Sequence, residues 1–303
     1  MGIKKFEVKV PGSTANLGPG FDSFGLALSL YLTLRVEMAE NTSIRLIGDQ
    51  LASLPTNEDN LVYQSFKHLF DLEGKKIPEV SLEIESEIPL SRGLGSSGTA
   101  IIAGLMAANQ FMESPKPIDD LFQIAAKLEG HPDNIGASLF GGFVVTAFDG
   151  ERAKLAQLPF PEDLKVMVAI PDYILSTSVA RKQIPDLIPL KDVSFNIGHA
   201  ALLIAYLSTG QTDKLSLVMR DRVHQPYRQA AVKGLSRILQ ESENSGIFSA
   251  ALSGAGPTII LFYKEEQTLK VEEILGHIVL EEDIRLDLKV LSVAKEGAFI
   301  SLR

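Results

Sequence analysis

Apolar and polar residues alternate along the first part of the chain: Phe6, Val8 and Val10, then Leu32, Leu34, Val36 and Met38, then Val80, Leu82, Ile84 and Ile88. A period of two places one face of each segment in a core and predicts three half-buried strands. After residue 88 the period changes. Ile101, Leu105, Ala108 and Met112 recur at helical spacing and predict a helix beginning near Ser96. A second amphipathic helix follows in "PIDDLFQIAAKLEGHPDN", with Ile118 and Asp119 at its start and Gly130 to Pro132 at its end.

"GGFVVTAF" reads as a strand entered by glycines. The polar stretch 149–154 and the two prolines within 155–161 then mark a domain boundary. Beyond it, "LKVMVAIP" predicts a buried strand, residues 196–208 and 228–243 predict helices, and "IFSAALSGAGPTIILFY" predicts two strands around a glycine turn. A helix from about Gln267 to His277 and a last strand from Leu286 onward complete the pattern. Strands and helices mix without strict βαβ alternation, which predicts an α+β fold in two layers. At 303 residues the chain is of a size at which one core commonly splits in two, here into 1–155 and 156–303.

Composition removes several classes of function. With no cysteine, disulfides, thiolate zinc sites and a cysteine nucleophile are excluded. A net charge of −9 argues against a broad nucleic-acid surface, which needs Lys and Arg to neutralise phosphates, so any anion must meet a local site. No stretch approaches the ~20 apolar residues of a membrane helix. The start "MGIKKFEVKVPG" lacks the apolar run of a secretory signal, so a cytoplasmic protein without membrane or nucleic-acid partners is expected.

The candidate local site is "PLSRGLGSSGTA", residues 89–100, where glycines and serines run into the predicted helix. The first N–H groups of a helix lack intrahelical partners and carry partial positive charge, and glycines let that backbone approach an anion. One of the Ser96 and Ser97 hydroxyls can cap the helix while the other, with Ser97 favoured, reaches a Mg²⁺ whose carboxylate partner would be Glu129. No G-x-x-x-x-G-K-[ST] loop is present, nor a strand-linked G-x-G-x-x-G together with its acidic partner. By itself the segment reads more readily as a turn with a cap.

Three separated segments extend this reading: "VPGSTANLGPGFDSFGLAL", "PLSRGLGSSGTA" and "SGAGPT" at 253–258. Together they resemble the signature regions of the GHMP kinases, and "ANLGPGFD", "LEGHPDN" and "STSVAR" resemble the homoserine kinase branch. The resemblance spans the chain in the same order. It implies an N-terminal domain like the second domain of ribosomal protein S5 and a ferredoxin-like C-terminal domain, with transfer of a phosphoryl group from ATP, accompanied by Mg²⁺, to the hydroxyl of L-homoserine. Family members are commonly homodimers. The alternatives are a GHMP kinase for another small alcohol, or a non-catalytic relative that only binds nucleotide.

The resemblance also implies roles for particular residues. Pro89, Leu90, Ser91, Arg92, Gly93, Leu94, Gly95, Ser96, Ser97, Gly98 and Thr99 would hold the triphosphate, and Asn60, Leu61 and Val62 of "NEDNLVY" would pack on adenine. Asn16 and Asp22 would meet the amino group and hydroxyl of homoserine, and His131 and Asn134 would line the same pocket. Arg181 and Arg228 would hold its carboxylate, which suits the planar guanidinium fork, and Thr177 would make a neighbouring substrate contact. Asn134 is an amide where some GHMP kinases have a basic aspartate, so the implied route passes the hydroxyl proton to a phosphate oxygen or solvent. Asp22 is left either as an assistant base or as a positioning group. His68, His199, His224 and His277 share no ligand spacing and read as structural or surface residues.

Overall fold

The computed structural model describes residues 5–302. The start of "MGIKKFEVKVPG", residues 1–4, and residue 303 lie outside the described residues. Strand β1 (Lys5–Asn16) pairs with the long β2 (Gly20–Met38), and β3 (Ser43–Ile47) precedes α1 (Leu61–Leu72). Then come β4 (Val80–Ser86), α2 (Ser96–Asn109), α3 (Ile118–Glu129), α4 (Asp133–Phe140), β5 (Phe143–Phe148) and β6 (Ala153–Leu158). With β11 (Phe299–Leu302) these strands form a seven-stranded sheet of order β11-β1-β2-β4-β3, and the β5–β6 hairpin joins through β2.

The register explains the alternation. Val8 lies opposite Leu34, Leu34 opposite Ile84, and Ile84 opposite Leu46, so one apolar row crosses four strands. Helix α2 covers this face, with α1, α3 and α4 packed around it. Every residue of α2 from Gly98 to Asn109 is buried, so the apolar stripe expected there becomes burial on all sides, because helices flank it as well as the sheet. The helix stops at Asn109, short of Met112.

The second layer holds β7 (Leu164–Pro171), α5 (Thr177–Lys182), α6 (Leu190–Thr209), α7 (Leu215–Val218), α8 (Gln225–Arg228) and α9 (Leu235–Ser245). After these come β8 (Ser249–Leu252), β9 (Ile259–Lys264), α10 (Thr268–Glu281) and β10 (Leu286–Leu291). The antiparallel order β10-β7-β9-β8, with helices between β7 and β8 and between β9 and β10, is the ferredoxin-like arrangement. Its inner strands β7 and β9 are apolar on both faces. Val166, Val168, Ile260 and Phe262 join the core of the first sheet, while Met167, Ala169, Leu261 and Tyr263 pack on α9 and α10. Among the described residues no helix is long and apolar enough to cross a membrane.

Four segments depart from the sequence pattern. β3 is a short, half-buried edge strand beside β4, in a stretch where the sequence pattern predicts no element. β6 lies in the stretch read as a domain boundary, and its mostly exposed side chains hide the strand period. The helix expected over 228–243 is two, because Gly234, at φ 78°, separates α8 from α9. The last strand is also two, with β10 in the second sheet and β11 returning to pair with β1.

Candidate active site

The site begins at the β1–β2 turn. Asn16, Leu17 and Asp22 hold left-handed backbone, with φ of 72°, 47° and 53°. Asn16 Oδ1 accepts the Asp22 amide at 3.0 Å, and its Nδ2 donates to the Gly254 carbonyl at 2.9 Å. Asn16 therefore spends its side chain on fixing Asp22 and on tying this turn to "SGAGPT". That second turn also reaches the glycine loop: Ser253 Oγ donates to the Gly93 carbonyl at 2.6 Å and lies 2.8 Å from Thr14 Oγ1. All three signature segments interlock.

Glycine is required twice in that loop. At Gly93, φ 72°, an added Cβ would lie 2.2 Å from the Ser253 carbonyl oxygen; at Gly95, φ 74°, it would lie 2.4 Å from Ser13 Oγ. Gly95 is the N-cap of α2, and no side chain caps the helix, contrary to the expectation that a serine would. The opening amides of a 14-residue helix are thus left for another acceptor. Ser97 Oγ instead donates to Glu129 Oε2 at 2.8 Å.

Two cavities meet at this loop. The larger, about 620 Å³, is mostly apolar and runs between the loop and the 50–62 segment, with Leu54, Asn60, Leu61, Val62 and Leu90 among its walls. The smaller, about 120 Å³, is lined by Asp22, Glu129, His131, Asp133, Arg181 and Arg228, with Asn16, Asn134 and Thr177. Ser91, Ser96 and Ser97 line both.

Charges in the small cavity are paired across the two layers. Arg181 of α5 grips Asp22 through both Nη atoms, at 2.7, 2.8 and 3.0 Å. Burial, joined by the charge of Asp133, raises the Asp22 carboxyl above its usual range despite Arg181. Burial likewise raises Glu129. His131 Nδ1 lies 3.0 Å from Asp133 Oδ1 and its Nε2 4.0 Å from Glu129 Oε1. Burial opposes the imidazolium, yet Asp133, Glu129 and Asp22 push it up to about 9. Arg228, 2% exposed, is lowered by burial and by Arg181 to about 10 and stays charged at neutral pH.

Of the residues singled out in the sequence, Asn16, Asp22, His131, Asn134, Thr177, Arg181 and Arg228 line the small cavity with Gly93, Gly95 and Glu129. Pro89, Leu90, Ser91, Arg92, Ser96, Ser97, Asn60, Leu61 and Val62 line the large one. Leu94, Gly98 and Thr99 line neither; Thr99 is buried and donates to the Ser96 carbonyl. Asn60 lines the cavity with its amide already committed, capping α1 through Val62 N and donating to the Pro55 carbonyl. Asp133 and Phe21 were missed, although both stand inside quoted motifs. His224 is fully buried against Arg228, and only its place four residues before that arginine could have signalled it.

Serine hydroxyl and carboxylate are hard oxygen donors suited to a divalent cation, and Ser97 and Glu129 stand together in the lining of the small cavity. Among the described residues there is no cluster of three or more His, Asp or Glu that could hold a metal ion by itself.

Comparison with known proteins agrees with this arrangement. Residues 60–142 match the model of the GHMP kinases N terminal domain and residues 203–276 that of the GHMP kinases C terminal domain. The chain is 39% identical to a homoserine kinase of Desulfitobacterium hafniense, over 97% of this chain and 99% of that protein. It is 34% identical to a homoserine kinase of Moorella thermoacetica over the same shares. Its fold superposes on the crystal structure of homoserine kinase from Cytophaga hutchinsonii with a TM-score of 0.85, at 24% identity and 98% coverage of both chains. It also superposes on mevalonate diphosphate decarboxylase from Staphylococcus aureus, at 0.71 and 13% identity over 98% of each.

Proposed function

From the premise that the chain belongs to the homoserine kinase family of the GHMP kinases, we propose how its site carries out that family's reaction. The enzyme transfers the γ-phosphoryl group of ATP to the side-chain hydroxyl of L-homoserine, giving O-phospho-L-homoserine, a step of threonine biosynthesis. The observation that carries the reading is the junction of the two cavities at Ser91, Ser96 and Ser97. Adenosine takes the apolar cavity, the triphosphate follows the glycine loop to the bare N-terminus of α2, and the γ-phosphate arrives at the mouth of the polar cavity. Phosphoryl transfer asks the protein mainly to align the acceptor and to neutralise charge, and this layout does both.

Homoserine is a zwitterion, and Asp22 and Arg181 are its complement. The two side chains grip one another in the structure; the substrate offers an ammonium to Asp22 and a carboxylate to Arg181 and Arg228, exchanging one ion pair for two. Thr177 adds a contact on the carboxylate side, and His131 and Asn134 direct the hydroxyl. The Asn134 side chain is an amide and accepts no proton, so the hydroxyl proton leaves to a phosphate oxygen or solvent. Asp22, taken up by the substrate ammonium, acts in positioning. A divalent cation, Mg²⁺ on this reading, would be held by Ser97 and Glu129 and would neutralise the triphosphate. A cytoplasmic homodimer completes the reading.

The test is ADP release with Mg-ATP across L-homoserine, L-serine, galactose and mevalonate. Release that depends on homoserine is expected, and equal rates with and without it would overturn the proposal. The paired arginines with Asp22 favour an amino acid over a sugar or mevalonate.

A further inference from the structure

Four residues before Arg228 stands a histidine that the reaction does not call for. His224 is fully buried, and both of its ring nitrogens are engaged. Nε2 lies 2.8 Å from the Gly18 carbonyl oxygen, which only accepts, so Nε2 carries a proton. Nδ1 lies 3.2 Å from Arg228 Nη1, which only donates, so Nδ1 presents its lone pair. Together the contacts define a neutral imidazole of one tautomer. Burial and the Arg228 charge, against the pull of Asp221, hold the ring below its usual pKa and keep it neutral.

The consequence falls on the guanidinium. Arg228 Nε donates to the Ala180 carbonyl at 3.2 Å, and Nη1 is shared between the Gly254 carbonyl at 3.1 Å and His224. Nη2 makes no hydrogen bond within the described residues, and Arg228 lines the polar cavity. The imidazole is itself anchored. The Asp221 carboxylate accepts the amides of Val223, His224 and Gln225 at 3.0, 2.9 and 2.6 Å, fixing the entry to α8. Phe21, next to Asp22, stacks on the ring at 5.2 Å.

We propose that His224 is a positioning residue: its Nδ1 lone pair holds Arg228 so that Nη2 is presented to the carboxylate of the amino-acid substrate. The proposal rests on the function argued above. Gly18 belongs to the same turn as Asp22, so one imidazole sets the spacing between the carboxylate that takes the ammonium and the guanidinium that takes the carboxylate. A ring that merely filled the core would be replaceable by any aromatic ring. A ring that positions Arg228 is replaceable only by a group with an acceptor at the Nδ1 position.

Three variants separate these roles. Asparagine can place Oδ1 where Nδ1 stands, glutamine can reach Gly18 but not serve Arg228, and phenylalanine keeps the ring and its stacking without either hydrogen bond. His224→Phe and His224→Gln are expected to raise KM for L-homoserine about tenfold or more, the effect of one hydrogen bond to a charged group. KM for ATP should hold, and His224→Asn should restore most of the homoserine affinity. Equal homoserine KM values in the Asn and Gln variants would overturn the positioning role, as would a Phe variant with wild-type KM. Should His224→Phe fail to fold, as judged by circular dichroism, the Asn and Gln comparison decides. A His224→Asn variant that does not fold also overturns the proposal, since an acceptor at that position would then not suffice. Wild-type protein without homoserine-dependent ADP release would overturn the functional reading itself, a result distinct from any difference among variants.

Discussion

Replacing Arg181 by alanine removes the guanidinium that makes three contacts to Asp22, at 2.7, 2.8 and 3.0 Å, and that is read as half of the carboxylate clamp. Hydrogen bonds to charged groups are each worth about 1.5–3 kcal/mol and do not add, so loss of one clamp should raise KM for L-homoserine about 10- to 150-fold. Stability should barely respond. The side chains of Arg181 and Asp22 are 45% and 35% exposed, and surface pairs of this kind contribute about 0–1 kcal/mol. Arg181 does not line the large cavity, so KM for ATP should be unchanged. The pH profile supplies a further check. Asp22 is already raised by burial and by Asp133, and Arg181 is the largest influence holding it down. Without Arg181 the carboxyl titrates higher, and because only the carboxylate attracts the ammonium, the acid limb of kcat/KM should move to higher pH. Arg181→Lys keeps the charge without the fork and should fall between. The assay is coupled ADP release, varying each substrate at saturating concentration of the other, with a thermal melt of each variant. A rise in KM for ATP with homoserine unaffected would refute the placement of Arg181.

Gly93→Ala forces a Cβ against the Ser253 carbonyl in left-handed backbone, so it should cost about 1–3 kcal/mol and raise KM for ATP; an unchanged melt and KM would refute the interlock of loop and turn. Ser97→Ala and Glu129→Gln should each lower kcat about a hundredfold, the scale of removing one charge-stabilising group, and demand more Mg²⁺ while sparing KM for homoserine. A Mg²⁺ titration identical to wild type would remove the pair from the metal site. His131 should titrate near pH 9 by NMR in the presence of chelator. Its raised pKa means that the imidazolium stabilises the fold fully below its ordinary value of about 6.5 and loses that effect as pH rises through about 9. His131→Gln should therefore flatten the fall in stability between neutral and alkaline pH, and a midpoint below 7 would refute the carboxylate cage.

The inner strands and the helices of the first layer were legible because a buried face imposes its period on the sequence, as in the row Val8, Leu34 and Ile84. β6 was not, because an edge strand with mostly exposed side chains leaves composition free to resemble a linker. β11 was hidden for another reason: its partner, β1, lies some 290 residues away, and no local pattern says which sheet a short strand will join. In the site, the motifs located Asp22, Arg181 and Arg228, but not which side chains are already committed within the protein. Asn16 has both ends of its amide bonded to backbone, and Asn60 likewise, facts of tertiary geometry that residue type does not carry.

The two arginines of the polar cavity, equal in the sequence, are unequal in the fold. Arg228 is almost wholly buried and held by acceptors from three places: Ala180 on α5, Gly254 in the turn after β8, and His224 ahead of α8. Its position is settled before any substrate arrives, and the entropy of ordering that side chain is already spent in folding. Arg181 stands half exposed on the six-residue α5 and reaches across the cavity to Asp22. For the substrate ammonium to meet Asp22, Arg181 must yield part of its grip, and the substrate carboxylate is the group that can draw it away. On the proposed function, Arg228 would therefore fix where the carboxylate sits, and Arg181 would close over it. Arg228 Nε is bonded to Ala180, one residue before Arg181, so the fixed arginine also anchors the helix that carries the movable one.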